Sequence, residues 1–505
     1  MTELAGRPVL VVGAGIMGSG IAQVATQAGH PVFLYDTRPG AAQGAVRTIG
    51  AALEALAAKG RIAPEAARAA VARLRAIDRL EDAADCALAV EAIVEDLAAK
   101  RALYREVEQA VGQGCLIASN TSSLSITALG QGLRNPGRFV GMHFFNPVPL
   151  MKLVEVVSGL ETDPAVAAAI EALARAWGKV PVQARSTPGF IVNRIARPFY
   201  AEALMLLQER AAEPAQIDAC LRGAGFRMGP CELMDLIGHD TNFAVTQSMH
   251  AASFGDRRYV PSAVQRELVE AGRLGRKTGR GLYEYRDGLP VRTDRPSFVP
   301  AGPLPECPVS VHGRGPVADR LADALRHAGR QVVRVRESGW VGVGVESAKL
   351  RLTDGRPATC VAGETGQRDL AVFDLPIADG AGALAWSCAD TASGSWRTDA
   401  PAWLALLGFE PIEIEDTAGL VVARTVAMLI NEAADAVQQG VCTAEAADLA
   451  MKLGVNYPAG PFEWLDRWGA GEVVRVLRNL DALYRGERYR ASPYLLRRAW
   501  TDGMA

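Results

Sequence analysis

Pro8-Val-Leu-Val-Val-Gly13-Ala-Gly15-Ile-Met-Gly18 is the stretch that decides the fold of this 505-residue chain. A short apolar run without alternation reads as a strand buried on both faces. Glycines follow at the spacing G-x-G-x-x-G, and Ile16 to Ala28 reads as a helix closed by Gly29. In such a strand–turn–helix the first glycine permits the tight turn. The second lets a pyrophosphate approach the backbone, and the third lets helix and strand pack closely. The next strand, Pro31-Val-Phe-Leu-Tyr-Asp36, ends in a carboxylate at about the 20-residue distance expected of a ribose ligand. Asp36 would accept from both ribose hydroxyls and repel a 2′-phosphate, which favours NAD over NADP; Arg38, two residues on, works against strict exclusion. Gly13, Gly15, Ile16, Met17, Gly18 and Asp36 are therefore the expected NAD cradle.

Working outward, Ala41 to Arg75 is helical by composition and broken near Gly60-Arg61, as in a helical hairpin inserted after the second strand. Leu88–Ala92, Leu116–Asn120, Arg138–His143 and Leu153–Val157 continue an alternation of strand and helix, which predicts a doubly wound sheet over residues 1–185. Beyond Thr187-Pro-Gly189 the texture turns helical (Ile191 to Arg210, then Pro214 to Ala224), with a strand signal returning at Gly281–Tyr285. Residues 186–286 read as an all-α domain and 287–307 as a proline-rich linker. The remainder repeats the first half. Ser186-Thr-Pro-Gly-Phe-Ile-Val-Asn193-Arg aligns with Asp416-Thr-Ala-Gly-Leu-Val-Val-Ala423-Arg, and Gly229-Pro-Cys-Glu232 with Gly460-Pro-Phe-Glu463. The expected architecture is an α/β Rossmann-type sheet followed by an all-α helical domain, with a degenerate repeat of both at 308–410 and 411–505.

Composition excludes several classes. The net charge of −2 and 49% apolar content argue for a globular protein that binds neither nucleic acid nor a membrane surface. No apolar run is long enough to span a bilayer, and no signal-peptide pattern opens the chain. The eight cysteines form no C-x-x-C pair, so no metal site is expected, and a reducing, cytoplasmic setting fits. Only seven lysines occur beside many arginines, which draws attention to Lys100, Lys152 and Lys277.

The chemistry points to His143-Phe-Phe-Asn146-Pro and, twelve positions after the histidine, Glu155. Moving a hydride off a carbinol carbon requires a base for the hydroxyl proton. Neutral imidazole suits that task, and a carboxylate on its other nitrogen fixes the tautomer. On spacing alone the same residues also fit a satisfied core histidine and a solvated strand carboxylate.

Ser119-Asn-Thr-Ser122-Ser, His143-Phe-Phe-Asn146-Pro, Lys152-Leu-Val-Glu155 and Thr187-Pro-Gly-Phe-Ile-Val-Asn193-Arg resemble the L-3-hydroxyacyl-CoA dehydrogenase family, over residues 7–285. The C-terminal repeat resembles longer bacterial members, including 3-hydroxyadipyl- and 3-hydroxybutyryl-CoA dehydrogenases. That resemblance implies NAD as cofactor, an acyl-CoA substrate and a homo-oligomer, a dimer or trimer. It implies His143 as general acid/base, Glu155 as its orienting partner, Ser122 on the substrate oxygen near the nicotinamide, and Asn193 holding the reacting groups. It implies cofactor contacts from Glu95, Lys100, Ser122, Asn146 and Lys277. Lys59 and Arg61, at the hairpin tip, are placed to meet CoA phosphates or to be a solvated helix end.

The second copy departs where chemistry needs it. Its loop is Gly313-Arg-Gly315-Pro-Val-Ala318, its second strand ends at Arg336, and Ala423 stands for Asn193. It is expected to be non-catalytic, with helix Leu420–Val437 covering the first helical domain. The implied activity is NAD-dependent oxidation of an L-3-hydroxyacyl-CoA to the 3-ketoacyl-CoA, in fatty-acid or phenylacetate-type catabolism. Two other readings stand beside it: a β-hydroxyacid or sugar-acid dehydrogenase without CoA, and a non-catalytic crystallin-like relative.

Overall fold

Strand β1 (Val9–Val12) lies inside an eight-stranded sheet because all four residues are apolar and both of its faces are covered. The computed structural model describes residues 4–291, 298–378 and 382–503. The other strands are β2 (Val32–Tyr35), β3 (Leu74–Ala76), β4 (Leu88–Glu91), β5 (Leu116–Ser119), β6 (Phe139–Phe144), β7 (Leu153–Ser158) and β8 (Val180–Arg185). Their order is β3-β2-β1-β4-β5-β6-β7-β8. The first six are parallel, β7 runs antiparallel to β6, and β8 is parallel to β7. This is the doubly wound dinucleotide-binding order, with two strands added at one edge.

Helices Ala41–Ala58 and Pro64–Ala72 form the inserted hairpin. The helical reading up to Arg75 overlooks β3, which pairs with β2. Three residues after an alanine-rich helix are too few to display a period of two. The helix expected over Ile191–Arg210 is two, Val192–Ile195 and Arg197–Gln208, with Pro198 in the first turn of the second. The strand expected over Gly281–Tyr285 begins only at β9 (Tyr285–Arg286), which pairs with β10 (Leu289–Pro290). The amides of Leu282 and Tyr283 instead donate to the Asp235 carboxylate, each at 2.9 Å. Of the expected linker, residues 292–297 lie outside the described residues.

The second sheet comprises β11 (Val309–His312), β12 (Val332–Val335), β13 (Gly342–Val345), β14 (Ala348–Leu352), β15 (Leu370–Phe373), β16 (Ala383–Cys388) and β17 (Glu410–Glu413). Its order is β12-β11-β13-β14-β15-β16-β17. A β13–β14 hairpin, with both neighbouring pairings of β13 antiparallel, stands where the first sheet has parallel strands and a helical crossover. The last three strands keep the pattern of β6–β7–β8: antiparallel, then parallel.

That pattern fixes equivalences. Glu155 is the register partner of both His143 and Val182. In the second sheet Ile412, the counterpart of Val182, pairs with Ala385, and Ala385 O accepts from Asp374 N at 2.9 Å. Asp374 thus stands in the place of His143, and Ala385 in that of Glu155. The buried Asp374 carboxylate accepts from the amides of Val421 (2.9 Å), Val422 (2.6 Å) and Ala423 (2.8 Å), where the helix Val422–Gln438 begins. Burial pushes its pKa up to about 6.

The chain divides into two compact units: Met1–Arg194 with Gln439–Val455, and Ile195–Gln438 with Asn456–Ala505. In the first, helix Ala444–Gly454, although it belongs to the second repeat, packs on β7 and β8. In the second, helices Arg197–Gln208 and Val422–Gln438 pack together with a reciprocal exchange of polar contacts. Tyr489 Oη and Arg488 Nη2 donate to Glu202 at 2.9 and 2.7 Å. Tyr259 Oη donates to Glu432 at 2.5 Å, and Arg258 Nη1 lies 3.2 Å from it. Glu202 and Glu432 occupy equivalent positions in the two repeats. Each is held by the Arg-Tyr pair of the other repeat, as at an isologous interface. Among the described residues no helix is long and apolar enough to cross a membrane, and no cluster of three His, Cys, Asp or Glu side chains is arranged to hold a metal.

Candidate active site

The glycine loop is built as its residues dictate. Gly13 has φ 105°, and a Cβ there would stand 2.5 Å from Ala92 O. A Cβ on Gly18 would stand 1.8 Å from Gly13 O, so helix Ile16–Gln27 can approach the turn only without one. Gly15 differs: a Cβ there would meet no atom within 4 Å. The helix begins with no side-chain cap at Gly15, and Ile16 is exposed. Open space beside the uncapped amides of a helix N-terminus fits a pyrophosphate. Met17 packs against the core beneath.

Asp36 follows β2, and its Oδ2 accepts from Ala14 N at 2.8 Å, which ties it to the loop. Arg38 donates to the same carboxylate from its backbone N (2.9 Å), Nε (3.0 Å) and Nη2 (3.0 Å). The Arg38 hydrogen bonds hold the Asp36 pKa down at about 2. The guanidinium is largely exposed, with 70% of its side chain accessible, so it is a displaceable partner. The donor set fits an NAD ribose: one ionised carboxylate beside the loop.

His143 and Glu155 meet because β6 and β7 pair antiparallel in that register, which places both side chains on one face. His143 Nδ1 lies 2.5 Å from Glu155 Oε2. Glu155 is fully buried, and its other oxygen accepts from the amides of Ile191 (2.9 Å) and Val192 (3.0 Å). A carboxylate only accepts, so the contact with His143 calls for a proton on Nδ1, and in the neutral ring with that proton Nε2 is the acceptor. Phe145 and Phe190 flank the imidazole at ring-centroid distances of 4.6 and 5.9 Å.

Asn193 reaches the same loop as Ser122: its Nδ2 donates to Ser122 O at 3.2 Å. Glu95 organises that loop from below. Its Oε1 accepts from Thr121 Oγ1 (2.6 Å), Ser122 N (2.8 Å), Ser123 N (3.1 Å) and the hydroxyls of Ser122 (3.2 Å) and Ser123 (3.1 Å). Burial works to raise the Glu95 pKa, but the Lys100 charge and these donors hold it below the ordinary value. Lys100 is 1% exposed, with its ammonium 2.5 Å from Glu91 Oε1 and 3.3 Å from Glu95 Oε2. The structure thus places Lys100 beneath Glu95 rather than on an open surface. Asn146 is exposed, two residues beyond β6. Lys277 lies in the helical unit, where it pairs with Asp240 at 2.6 Å. Lys59 and Arg61 are exposed at the hairpin tip.

Two contributors are absent from the sequence reading. Glu91, at the end of β4, accepts from Lys100, Tyr104 Oη, Ser119 Oγ (2.8 Å) and Ile93 N (2.7 Å). A carboxylate closing an otherwise apolar strand was the available signal. The other is the segment 439–455. Arg185 N donates to Val441 O at 2.8 Å, and the Cys442 thiol is pushed up to about 12 by burial and by the Glu155 charge.

In the second copy the corresponding loop is filled. Arg334 donates to Gly313 O and Ala318 O, both at 3.2 Å, and Trp340 stacks on His312 at 4.1 Å. Helix Pro316–His327 opens on a proline, which has no amide hydrogen to offer.

Comparison with known proteins agrees with this geometry. A family profile described as 3-hydroxyacyl-CoA dehydrogenase, NAD binding domain, matches residues 8–187. The 3-hydroxyacyl-CoA dehydrogenase, C-terminal domain, matches twice, at 189–285 and 419–503. Residues 350–417 match a 3-hydroxybutyryl-CoA dehydrogenase reduced Rossmann-fold domain. The chain is 40% identical over 494 residues to 3-hydroxyadipyl-CoA dehydrogenase of Escherichia coli K12, covering 98% of this chain and 97% of that one. It is 41% identical over 288 residues to 3-hydroxybutyryl-CoA dehydrogenase of Bradyrhizobium diazoefficiens, covering 57% of this chain and 98% of that one. The crystal structure of 3-hydroxybutyryl-CoA dehydrogenase from Escherichia coli K12 is similar with a TM-score of 0.88 at 39% identity, covering 99% of both chains. The chain belongs to the 3-hydroxyacyl-CoA dehydrogenase family and is an NAD-dependent enzyme of that family.

Proposed function

We propose that His143 is the general base of this dehydrogenase and that its substrate is a short L-3-hydroxyacyl-CoA, with 3-hydroxyadipyl-CoA the leading candidate. The His143–Glu155 pair carries the catalytic part of the reading. Bound NAD supplies the acceptor for the hydride on C3. Nε2 of His143 takes the 3-hydroxyl proton, so the alcohol leaves as a ketone. Glu155, held by two backbone amides, keeps the proton on Nδ1 and stabilises the imidazolium that forms. Ser122 and Asn193, joined through the Ser122 carbonyl, position the substrate oxygen near the imidazole. Glu95 orders the Thr121–Ser123 loop beside them, with Lys100 holding Glu95 in place. Gly13, Gly15, Ile16, Met17, Gly18 and Asp36 receive the cofactor, with Asn146 and Lys277 as further contacts.

The full-length likeness to the Escherichia coli 3-hydroxyadipyl-CoA dehydrogenase supports the acyl group, because it spans the second repeat as well. It also supports a place in fatty-acid or phenylacetate-type catabolism. The division of labour follows: residues 1–185 bind NAD, 186–286 form the helical domain after them, and 308–410 and 411–505 do no chemistry. We further infer a cytoplasmic homo-oligomer, a dimer or trimer. NADH formation with 3-hydroxybutyryl-, 3-hydroxyadipyl- and 3-hydroxydecanoyl-CoA, and with free 3-hydroxybutyrate, tests the reading. The expected order of kcat/KM is adipyl, butyryl, then decanoyl, with no turnover of the free acid. A preference for the decanoyl thioester contradicts the acyl assignment, and turnover of the free acid contradicts the need for CoA.

A further inference from the structure

The helical unit contains a cavity of about 300 Å³ that includes none of the His143 set. This volume falls at the lower end of the range of small-molecule sites, about 300–1,000 Å³, and is too small for a whole dinucleotide. Its charge is one-sided. Five arginines line it (Arg197, Arg257, Arg258, Arg485 and Arg488), together with four tyrosines, and no Asp or Glu is among the lining residues.

Two of the arginines are already neutralised from behind. Arg258 pairs with Asp256 and Asp435, and Arg488 with Glu202. Arg257 and Arg485 are exposed at the rim and pair with no carboxylate among the described residues. On the floor, Arg197 is buried, donates to Thr246 Oγ1 at 3.2 Å and lies 4.8 Å above the Tyr200 ring. Burial lowers its pKa. Ser262 Oγ is buried without a hydrogen-bond partner, although it stands at a helix N-cap where a serine ordinarily accepts from the backbone. The rim loop is strained: Arg485, Gly486 and Glu487 have φ of 46°, 152° and 68°. Strain of this kind persists where the surroundings over-determine it, ligand clamps included.

The repeat supplies an internal control. Around helix Val422–Gln438, the equivalents of Arg197, Tyr200 and Leu204 are Ala427, Ile430 and Ala434, all fully buried. Asn431 there bonds to Arg490 O at 3.0 Å and accepts from Ser492 N at 2.7 Å, and Ser492 caps its own helix. In that copy the Arg197 position is an alanine and the serine at the Ser262 position is hydrogen-bonded. In the other it is a buried guanidinium and the serine hydroxyl has no partner, so this polar lining is not a necessity of the fold.

We propose that this cavity is a second ligand site, for a small organic anion: a carboxylate or phosphate monoester on a flat apolar body. The arginines receive the oxyanion in forked geometry, and the tyrosine faces and Leu204 receive the body. Calorimetric titration of the full-length protein with benzoate and with phenyl phosphate tests it, with inorganic phosphate and benzyl alcohol as controls. The test variant is Arg257→Ala/Arg485→Ala, whose changes lie at the exposed rim. One site per chain is expected for at least one organic anion, weakened tenfold or more in the variant, while NADH affinity and the melting temperature stay unchanged. The anion that binds tells carboxylate from phosphate as the head group. The proposal is overturned if neither anion binds at millimolar concentration, if the variant binds as tightly as the parent, or if either control binds as well as the organic anion.

Discussion

Glu155 holds His143 from directly across an antiparallel strand pair, and the same carboxylate closes the backbone at Ile191 and Val192. One side chain therefore couples the imidazole to the segment that carries Asn193. Glu155→Gln cannot serve both. If the amide oxygen stays on the two backbone amides, its NH₂ faces Nδ1 and forces the proton onto Nε2, which removes the base. If the amide turns, two buried amides lose their acceptor. The expected result is a kcat lower by about 10²–10⁴-fold, with NADH affinity retained. Steady-state kinetics beside a fluorescence titration with NADH checks it, and near-parental kcat would refute the coupling.

Arg38 is the displaceable partner of Asp36. Arg38→Ala should free the carboxylate for the ribose and sharpen the preference for NAD, while Asp36→Ala should weaken NAD binding and narrow it. The ratio of kcat/KM for NAD and NADP in both variants measures this. With its folded pKa near 2, below the usual 3.8, Asp36 contributes stability above pH about 4 and loses it only toward pH 2. NAD selectivity should therefore be flat with pH across the neutral range.

Lys100→Met should unfold the protein more easily rather than merely weaken the cofactor. It would leave Glu91, 2% exposed, buried without its cation. Losing one partner of a buried pair costs about 3–5 kcal/mol. Denaturant titration reads that loss, and an unchanged midpoint would mean that the ammonium does not neutralise Glu91.

Asp374 replaces the imidazole of the first repeat with a helix-capping carboxylate. Its folded pKa of about 6 lies above the unfolded 3.8, so the folded state binds the proton more tightly. Its contribution is fully present below pH about 4 and is lost as pH rises through 6. Asp218, also pushed up to about 6 by burial, adds in the same direction. Asp374→Asn, which cannot titrate, should reduce the slope of stability against pH between 4 and 6. Urea midpoints at several pH values in parent and variant give the answer, and identical slopes would show that Asp374 does not titrate there.

Much of this was legible in the sequence because it depends on short-range rules. The glycines of the NAD loop answer to backbone sterics, and the twelve residues from His143 to Glu155 are the span of one strand pair. What was not legible depends on partners far away in the chain. Nothing local in 439–455 says that this segment packs behind β7 and β8. Glu91 reads as the end of a strand until Lys100, Tyr104 and Ser119 converge on it. Asp374 is an ordinary aspartate until the register of β15 and β16 sets it where the first repeat has its histidine.

The role proposed for His143 is to move the substrate proton and not to hold the cofactor. It is tested most directly by measuring NADH formation from a 3-hydroxyacyl-CoA in the parent and in His143→Ala, with NADH affinity measured on the same samples. The expected kcat is lower by about 10²–10⁴-fold, with NADH affinity within about twofold of the parent. A variant that keeps most of its kcat, or one that loses NADH binding along with turnover, would contradict it.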